Sequence, residues 1–110
     1  MFGLLDRDME YIIKAIESHR EIEEALIFGS RAIGNYKRGS DIDIAVAGES
    51  VDRSTLRRLS EDLNENYPLP YFFDVISYND ISDDELKKHI DSLGRSIYNR
   101  NTKDFLKEKI

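Results

Sequence analysis

The stretch Ile27-Phe28-Gly29-Ser30-Arg31, carried through the ten residues from Arg31 to Ser40 and closed by Asp41-Ile42-Asp43, decides how the chain is read. Ala25-Leu26-Ile27-Phe28 is a short apolar run stopped by Gly29, which predicts a buried strand. Asp41 to Ala47 alternates acidic or small residues with Ile42, Ile44 and Val46, the pattern of a second strand with one buried face. Gly34, Gly39 and Ser40 mark the loop between them. Gly29 has no Cβ and lets an anion approach the backbone. Ser30 and the amides after it begin a helical turn whose free N–H groups form an anion site. Arg31, Lys37 and Arg38 add positive charge, and no acid lies between Gly29 and Ser40. For Lys37 and Arg38, phosphate contact and simple loop solvation both stay open.

Asp41 and Asp43 are two apart on a strand and so project from one face. Neighbouring carboxylates raise each other's pKa unless a cation lies between them. Hard divalent ions such as Mg²⁺ take oxygen ligands and keep phosphate oxygens in their shell. An anion cradle at one strand end, facing a dicarboxylate on the next strand, therefore suits a metal–nucleotide complex. Asp74, flanked by Phe73 and Val75 in the aromatic and β-branched strand Tyr71–Ser77, supplies a third acid. Such an acid in a core strand is costly unless it meets a metal or a donor. Beside Asp41 and Asp43 it would allow a second ion and two-metal phosphoryl chemistry.

Around this centre, Leu5, Met9, Ile12, Ile13 and Ile16 make one stripe of a helix that Asp6 can cap and that ends near His19 or Arg20. Leu56, Leu59 and Leu63 make a second stripe after Asp52, broken by Pro68-Leu69-Pro70. Ser82-Asp83-Asp84-Glu85 reads as a capping box opening a helix stopped by Gly94. The order α-β-β-α-β-α predicts an α/β fold, a single small domain with a mixed sheet flanked by helices, over residues 1–98. Residues 99–110 read as a polar C-terminal tail that can be helical.

The chain has 110 residues, with 16 Lys plus Arg against 22 Asp plus Glu and a net charge of −6. The length fits one domain, which buries only roughly two-thirds of its unfolded surface, so a partner would help its thin core. The absence of cysteine excludes disulfides, thiolate zinc sites and a Cys nucleophile. The acidic balance disfavours direct nucleic-acid binding through the phosphate backbone. No apolar run approaches the roughly 20 residues that cross a bilayer, and the N-terminus turns acidic too early for a signal peptide. A soluble cytoplasmic protein with no membrane contact is the expectation.

Competing motifs fail. Gly34-x-x-x-x-Gly39-Ser40 has Ser40 where a P-loop needs its lysine, and an EF-hand opening at Asp41 would place Val46 at the obligatory glycine. His19 and His89 lack metal-ligand spacing and read as ordinary helix-surface histidines. Arg53, Arg57 and Arg58 read as a solvated helix face balanced by Glu61 and Asp62. Tyr71, Phe72 and Phe73 read as core rather than as a base-stacking platform.

Taken together, Gly29-Ser30-Arg31-Ala32, Gly34-Asn35-Tyr36, Gly39-Ser40-Asp41-Ile42-Asp43, Leu69-Pro70-Tyr71-Phe72-Phe73-Asp74 and Asp91-Ser92-Leu93-Gly94 resemble the minimal nucleotidyltransferases. These belong to the DNA polymerase β-like superfamily and are the antitoxin partners of HEPN-domain proteins. One departure is Ile33, which stands where many relatives carry Arg or Lys. The resemblance implies a polymerase β palm-like domain in which Gly29, Ser30 and Arg31 bind the nucleotide and Asp41, Asp43 and Asp74 are the catalytic and Mg²⁺-binding acids, with two ions. It further implies transfer of AMP from ATP to a hydroxyl, a tyrosine of the HEPN toxin, within a hetero-oligomer. Two alternatives are nucleotidyl transfer to a small molecule or an RNA end, and a non-catalytic antitoxin that blocks the HEPN protein by binding. So small a palm leaves the acceptor to be presented by another protein.

Overall fold

The two apolar runs flanking the glycine-rich loop form β1 (Glu24–Phe28) and β2 (Ile42–Ala47), which pair antiparallel with Phe28 opposite Asp43. The computed structural model describes residues 1–37 and 39–101. β3 (Phe73–Ser77) lies parallel to β2 on its other side, with Asp43 opposite Asp74. A further strand, β4 (Arg95–Asn99), pairs antiparallel with β1 and completes a sheet of order β3-β2-β1-β4. The predicted order holds, with β4 added at its end and a one-turn helix, α2 (Ser30–Ile33), added after Gly29. β4 carries the chain through Asn99, past the expected boundary at 98. Of the expected tail at 99–110, Asn99 ends β4, and residues 102–110 lie outside the described residues.

Three helices flank the sheet, and local side chains set their ends. α1 (Asp6–Glu17) has its cap at Leu5, one residue before the expected Asp6, and the Leu5 amide donates to Asp8 Oδ2 at 3.2 Å. Asp8 is buried, and the same oxygen accepts the Tyr71 hydroxyl at 2.8 Å. α3 (Arg53–Glu61) has the expected Asp52 cap, whose Oδ1 accepts the Thr55 amide at 2.9 Å. α4 (Asp84–Leu93) is capped by Asp83 rather than Ser82, with Oδ1 taking the Glu85 and Leu86 amides, and Gly94 ends it. His19 lies beyond α1, buried, where it donates to Asp62 Oδ2 at 2.8 Å; it is an interior hydrogen-bond partner, not a surface residue.

Strand alternation divides the core into two layers. Ile27, Ile42, Ile44, Val46 and Phe73 face Ile12 and Ile16 of α1 and Leu59 of α3. Phe28 and Ala45 face Ile90 of α4, with Leu26, Ile76 and Leu86 packed around them. Asp43 and Asp74 alternate onto this second face, at the end of the sheet beyond Phe28.

Between α3 and β3 the chain makes a single π-helical turn, Asp62–Asn66. Its Asn64 side chain holds the free edge of β3: Oδ1 accepts the Phe73 amide at 2.7 Å and Nδ2 donates to the Phe73 carbonyl at 3.1 Å. One amide side chain thus replaces a missing strand, next to the residue that carries the third acid. Asn64→Leu leaves both backbone groups without partners. It is expected to cost about 1–3 kcal/mol in urea unfolding, against less than about 0.5 kcal/mol for a change at an exposed position such as Glu65→Gln.

Candidate active site

The turn at Gly29 is built around a steric requirement. Its backbone is left-handed, with φ +74°, and a Cβ placed there would stand 2.5 Å from Asp43 Oδ2. Only glycine lets β1 end against that carboxylate. α2 follows, with the Ala32 amide donating to Gly29 O at 3.1 Å and the Gly34 amide to Ser30 O at 3.0 Å. The Ser30 and Arg31 amides precede the first of these bonds, where a helix leaves its donors unpaired. Gly34, at φ +86°, closes the turn as a left-handed cap.

The acids gather on the same side. Asp41 and Asp74 are exposed and Asp43 is half-buried between them. Asp43 has its pKa raised above the ordinary 3.8, first by burial, then by the charges of Asp74 and Asp41, with His89 acting in the opposite direction. These influences tie all three acids to one electrostatic site. The exposure of Asp74 removes the expected burial cost, since β3 is an edge strand with an open end. Among the described residues no three His, Cys, Asp or Glu side chains stand close enough to hold a metal ion alone. The donor set consists of hard carboxylate oxygens beside a side-chain-free anion turn. That fits Mg²⁺ held by one or two carboxylates and completed by phosphate oxygens and water.

Three residues take places that the sequence pattern does not announce. Arg31, expected at the nucleotide, is only 4% exposed. Its Nε and Nη2 donate to the Ser40 carbonyl at 3.3 and 2.8 Å, and Nη1 donates to the Phe2 carbonyl at 3.1 Å. The guanidinium also lies 4.8 Å from the centre of the Tyr36 ring and 5.4 Å from that of Tyr71. It ties both ends of the loop together immediately before Asp41. His89, read as a surface histidine, is half-buried, and its Nε2 accepts the Gly29 amide at 3.1 Å. Its ring packs edge-on against Phe28. Phe72, read as core, is 61% exposed, whereas Phe73 is buried and Tyr71 half-buried. Lys37 is exposed, and Arg38 lies outside the described residues.

The geometry is that of a glycine turn closing one strand against acids on the next two. The sequence profile of the family described as Polymerase beta, Nucleotidyltransferase matches residues 10–103, and the chain belongs to that family. Comparison with curated proteins finds no match. Among solved structures the chain is similar to a toxin–antitoxin crystallised with AMP-PNP, at 24% identity and a TM-score of 0.71, covering 93% of this chain and 80% of that one. It is similar to the toxin–antitoxin MntA-HepT at 20% identity and a TM-score of 0.67, covering 93% and 79%. It also resembles a complex of tri-AMPylated Shewanella oneidensis HEPN toxin with MNT antitoxin, at 20% identity and a TM-score of 0.65, covering 91% and 76%. These likenesses establish the fold. No helix of the described residues is long and apolar enough to cross a membrane.

Two predictions follow from the electrostatics and the clamp. Asp43 binds its proton more tightly folded than unfolded, so its ionised form opposes folding above its raised pKa, and the penalty fades as pH falls towards 3.8 and below. Asp43→Asn should therefore have a higher Tm than the parent at pH 7 without divalent cations, with the difference closing near pH 3 in thermal melts. At Arg31, lysine keeps the charge but cannot reproduce the forked contact with the Ser40 carbonyl. Arg31→Lys should lose about 1–3 kcal/mol in urea unfolding.

Proposed function

We propose that the chain is a Mg²⁺-dependent adenylyltransferase that moves AMP from ATP to a tyrosine hydroxyl of a HEPN-domain toxin and so acts as its antitoxin. The observation that carries this reading is the absence of room for a side chain at Gly29 beside Asp43, which leaves an open backbone turn against a carboxylate cluster. The Gly29 and Ser30 amides bind the triphosphate. Gly29 gives its N–H to His89 Nε2 at 3.1 Å, a partner that a phosphate oxygen can replace. Asp41 and Asp43 would hold Mg²⁺, and Asp74 would complete a second ion site; an ion there would supply charge neutralisation for the phosphates and acidify the acceptor hydroxyl.

The reaction joins the acceptor oxygen to the α-phosphorus, breaks the bond from that phosphorus to the bridging oxygen, and releases pyrophosphate. Asp74, exposed at the strand edge, takes the hydroxyl proton. Arg31 acts through the loop, holding Ser40 and with it the approach to Asp41, rather than by touching phosphate. The acceptor tyrosine is carried by the partner. The neighbouring folds include a complex whose toxin is tri-AMPylated and one crystallised with AMP-PNP, which agrees with nucleotide use in this fold.

Label transfer from α-labelled ATP tests the proposal, with this chain, Mg²⁺ and a HEPN-domain protein as acceptor. The expected result is label on a tyrosine of the partner, reduced at least about a hundredfold by Asp41→Asn or Asp43→Asn. Silencing of the toxin that survives both substitutions, without label, would instead identify a blocking antitoxin. Label on an RNA end or small molecule alone would move the activity to another acceptor.

A further inference from the structure

Phe72 stands out among the exposed apolar side chains because of its neighbours. It is 61% exposed, whereas the next residue, Phe73 of β3, is almost fully buried. Its carbonyl accepts the Ile42 amide at 2.9 Å, so the β2–β3 ladder continues through it and sets it beside Asp41. Alternation along the strand places Phe73 and Val75 in the layer beneath α1 and α3, and Asp74 and Ile76 in the layer beneath α4. Phe72 is two residues before Asp74 and lies on the same side as that acid, at the open end of the sheet. Among the described residues, the packing offers no structural explanation for a large exposed aromatic beside three carboxylates.

The direction of the reaction gives it one. This argument rests on the nucleotidyl transfer proposed above. The triphosphate is held at the end of β1 by Gly29 and Ser30, so the leaving pyrophosphate lies on the β1 side of the acids. In-line displacement at phosphorus requires the attacking oxygen to enter opposite the leaving group. Across β2 from β1, the opposite side is β3, and β3 is the edge of the sheet. The acceptor therefore arrives over Asp74 and Phe72.

We propose that Phe72 is a specificity-determining residue that packs against the aromatic ring of the acceptor and selects a protein tyrosine over a polyanionic or sugar hydroxyl. A phenol ring lying against Phe72 would present its hydroxyl toward Asp74, one strand period along. Aromatic pairs of this kind are favourable in offset or edge-on arrangements, and an apolar contact offers neither charge nor a hydrogen bond to a sugar hydroxyl or a phosphate.

The experiment measures label transfer from α-labelled ATP with Mg²⁺ to the HEPN-domain partner and, separately, to a short RNA oligonucleotide. It compares the parent chain with Phe72→Ala and Phe72→Trp. Phe72→Ala should raise KM for the protein acceptor about tenfold or more, leave KM for ATP within about twofold, and leave Tm unchanged because the side chain is largely exposed. Phe72→Trp should restore transfer to the protein. Unchanged acceptor KM in Phe72→Ala would overturn the inference while leaving the transferase reading intact. A raised KM for ATP with the acceptor unaffected would overturn it too, making Phe72 a base-stacking residue. A parent chain that binds ATP and the partner but labels nothing would remove the transferase reading and this inference with it.

Discussion

Like charges held on neighbouring strands repel, and everything distinctive about this domain follows from keeping Asp43 and Asp74 opposite each other across a parallel pair. The strands cannot drift apart, because their inward-facing residues are the centre of the core: Ile42 and Ile44 on β2, Phe73 on β3. Asn64 fastens the outer edge of β3 with two hydrogen bonds, so the edge strand is tied on both sides. The acids lie beyond the apolar layer, at the open end of the sheet, where water lowers the cost of the repulsion. Asp43, the most enclosed of the three, retains part of that cost as a raised pKa. In the proposed function a cation carrying a polyphosphate would relieve that repulsion.

The opposite wall is set by one absent side chain. Gly29 turns left-handed against Asp43, and α2 begins at the next residue. Arg31 draws the loop closed by gripping the Ser40 carbonyl, with Tyr36 and Tyr71 packed on its guanidinium and Asp8 bonded to the Tyr71 hydroxyl. The N-terminus, the loop and β3 thus meet at one buried cation. The spacing from Gly29 to Asp41 is in this sense a structural dimension, the length of chain that reaches from the anion turn to the acids while Arg31 spans its ends.

Much of this was legible in the sequence, and for local reasons. The strands around the motif are short, strongly apolar on one face and bounded by glycine or loop residues, so period and length agree. Asp41, Asp43 and Asp74 could be placed on one site because two-residue spacing fixes a face and β3 offers a single acid. What stayed hidden depends on long-range packing. β4 is five residues of mixed polarity whose strand character comes from pairing with β1. Phe72 reads as core because an aromatic run does not reveal which strand forms the sheet edge. Arg31 reads as a phosphate ligand because charge near a glycine turn says nothing about the carbonyls it will meet. His89 is sixty residues from Gly29, and only the packing of α4 over the sheet brings its Nε2 to that amide.

The central claim is that the Gly29 turn is a phosphate cradle facing the acids. It is tested most directly by an amide ¹⁵N–¹H spectrum of the chain titrated with Mg²⁺ and the non-cleavable nucleotide AMP-PNP. The account predicts saturable shifts of the Gly29 and Ser30 amides together with the His89 ring nitrogen, as phosphate takes the hydrogen bond that His89 now holds, and loss of these shifts in Asp43→Asn. Nucleotide binding that leaves Gly29, Ser30 and His89 unmoved, or shifts confined to a distant face, would contradict it.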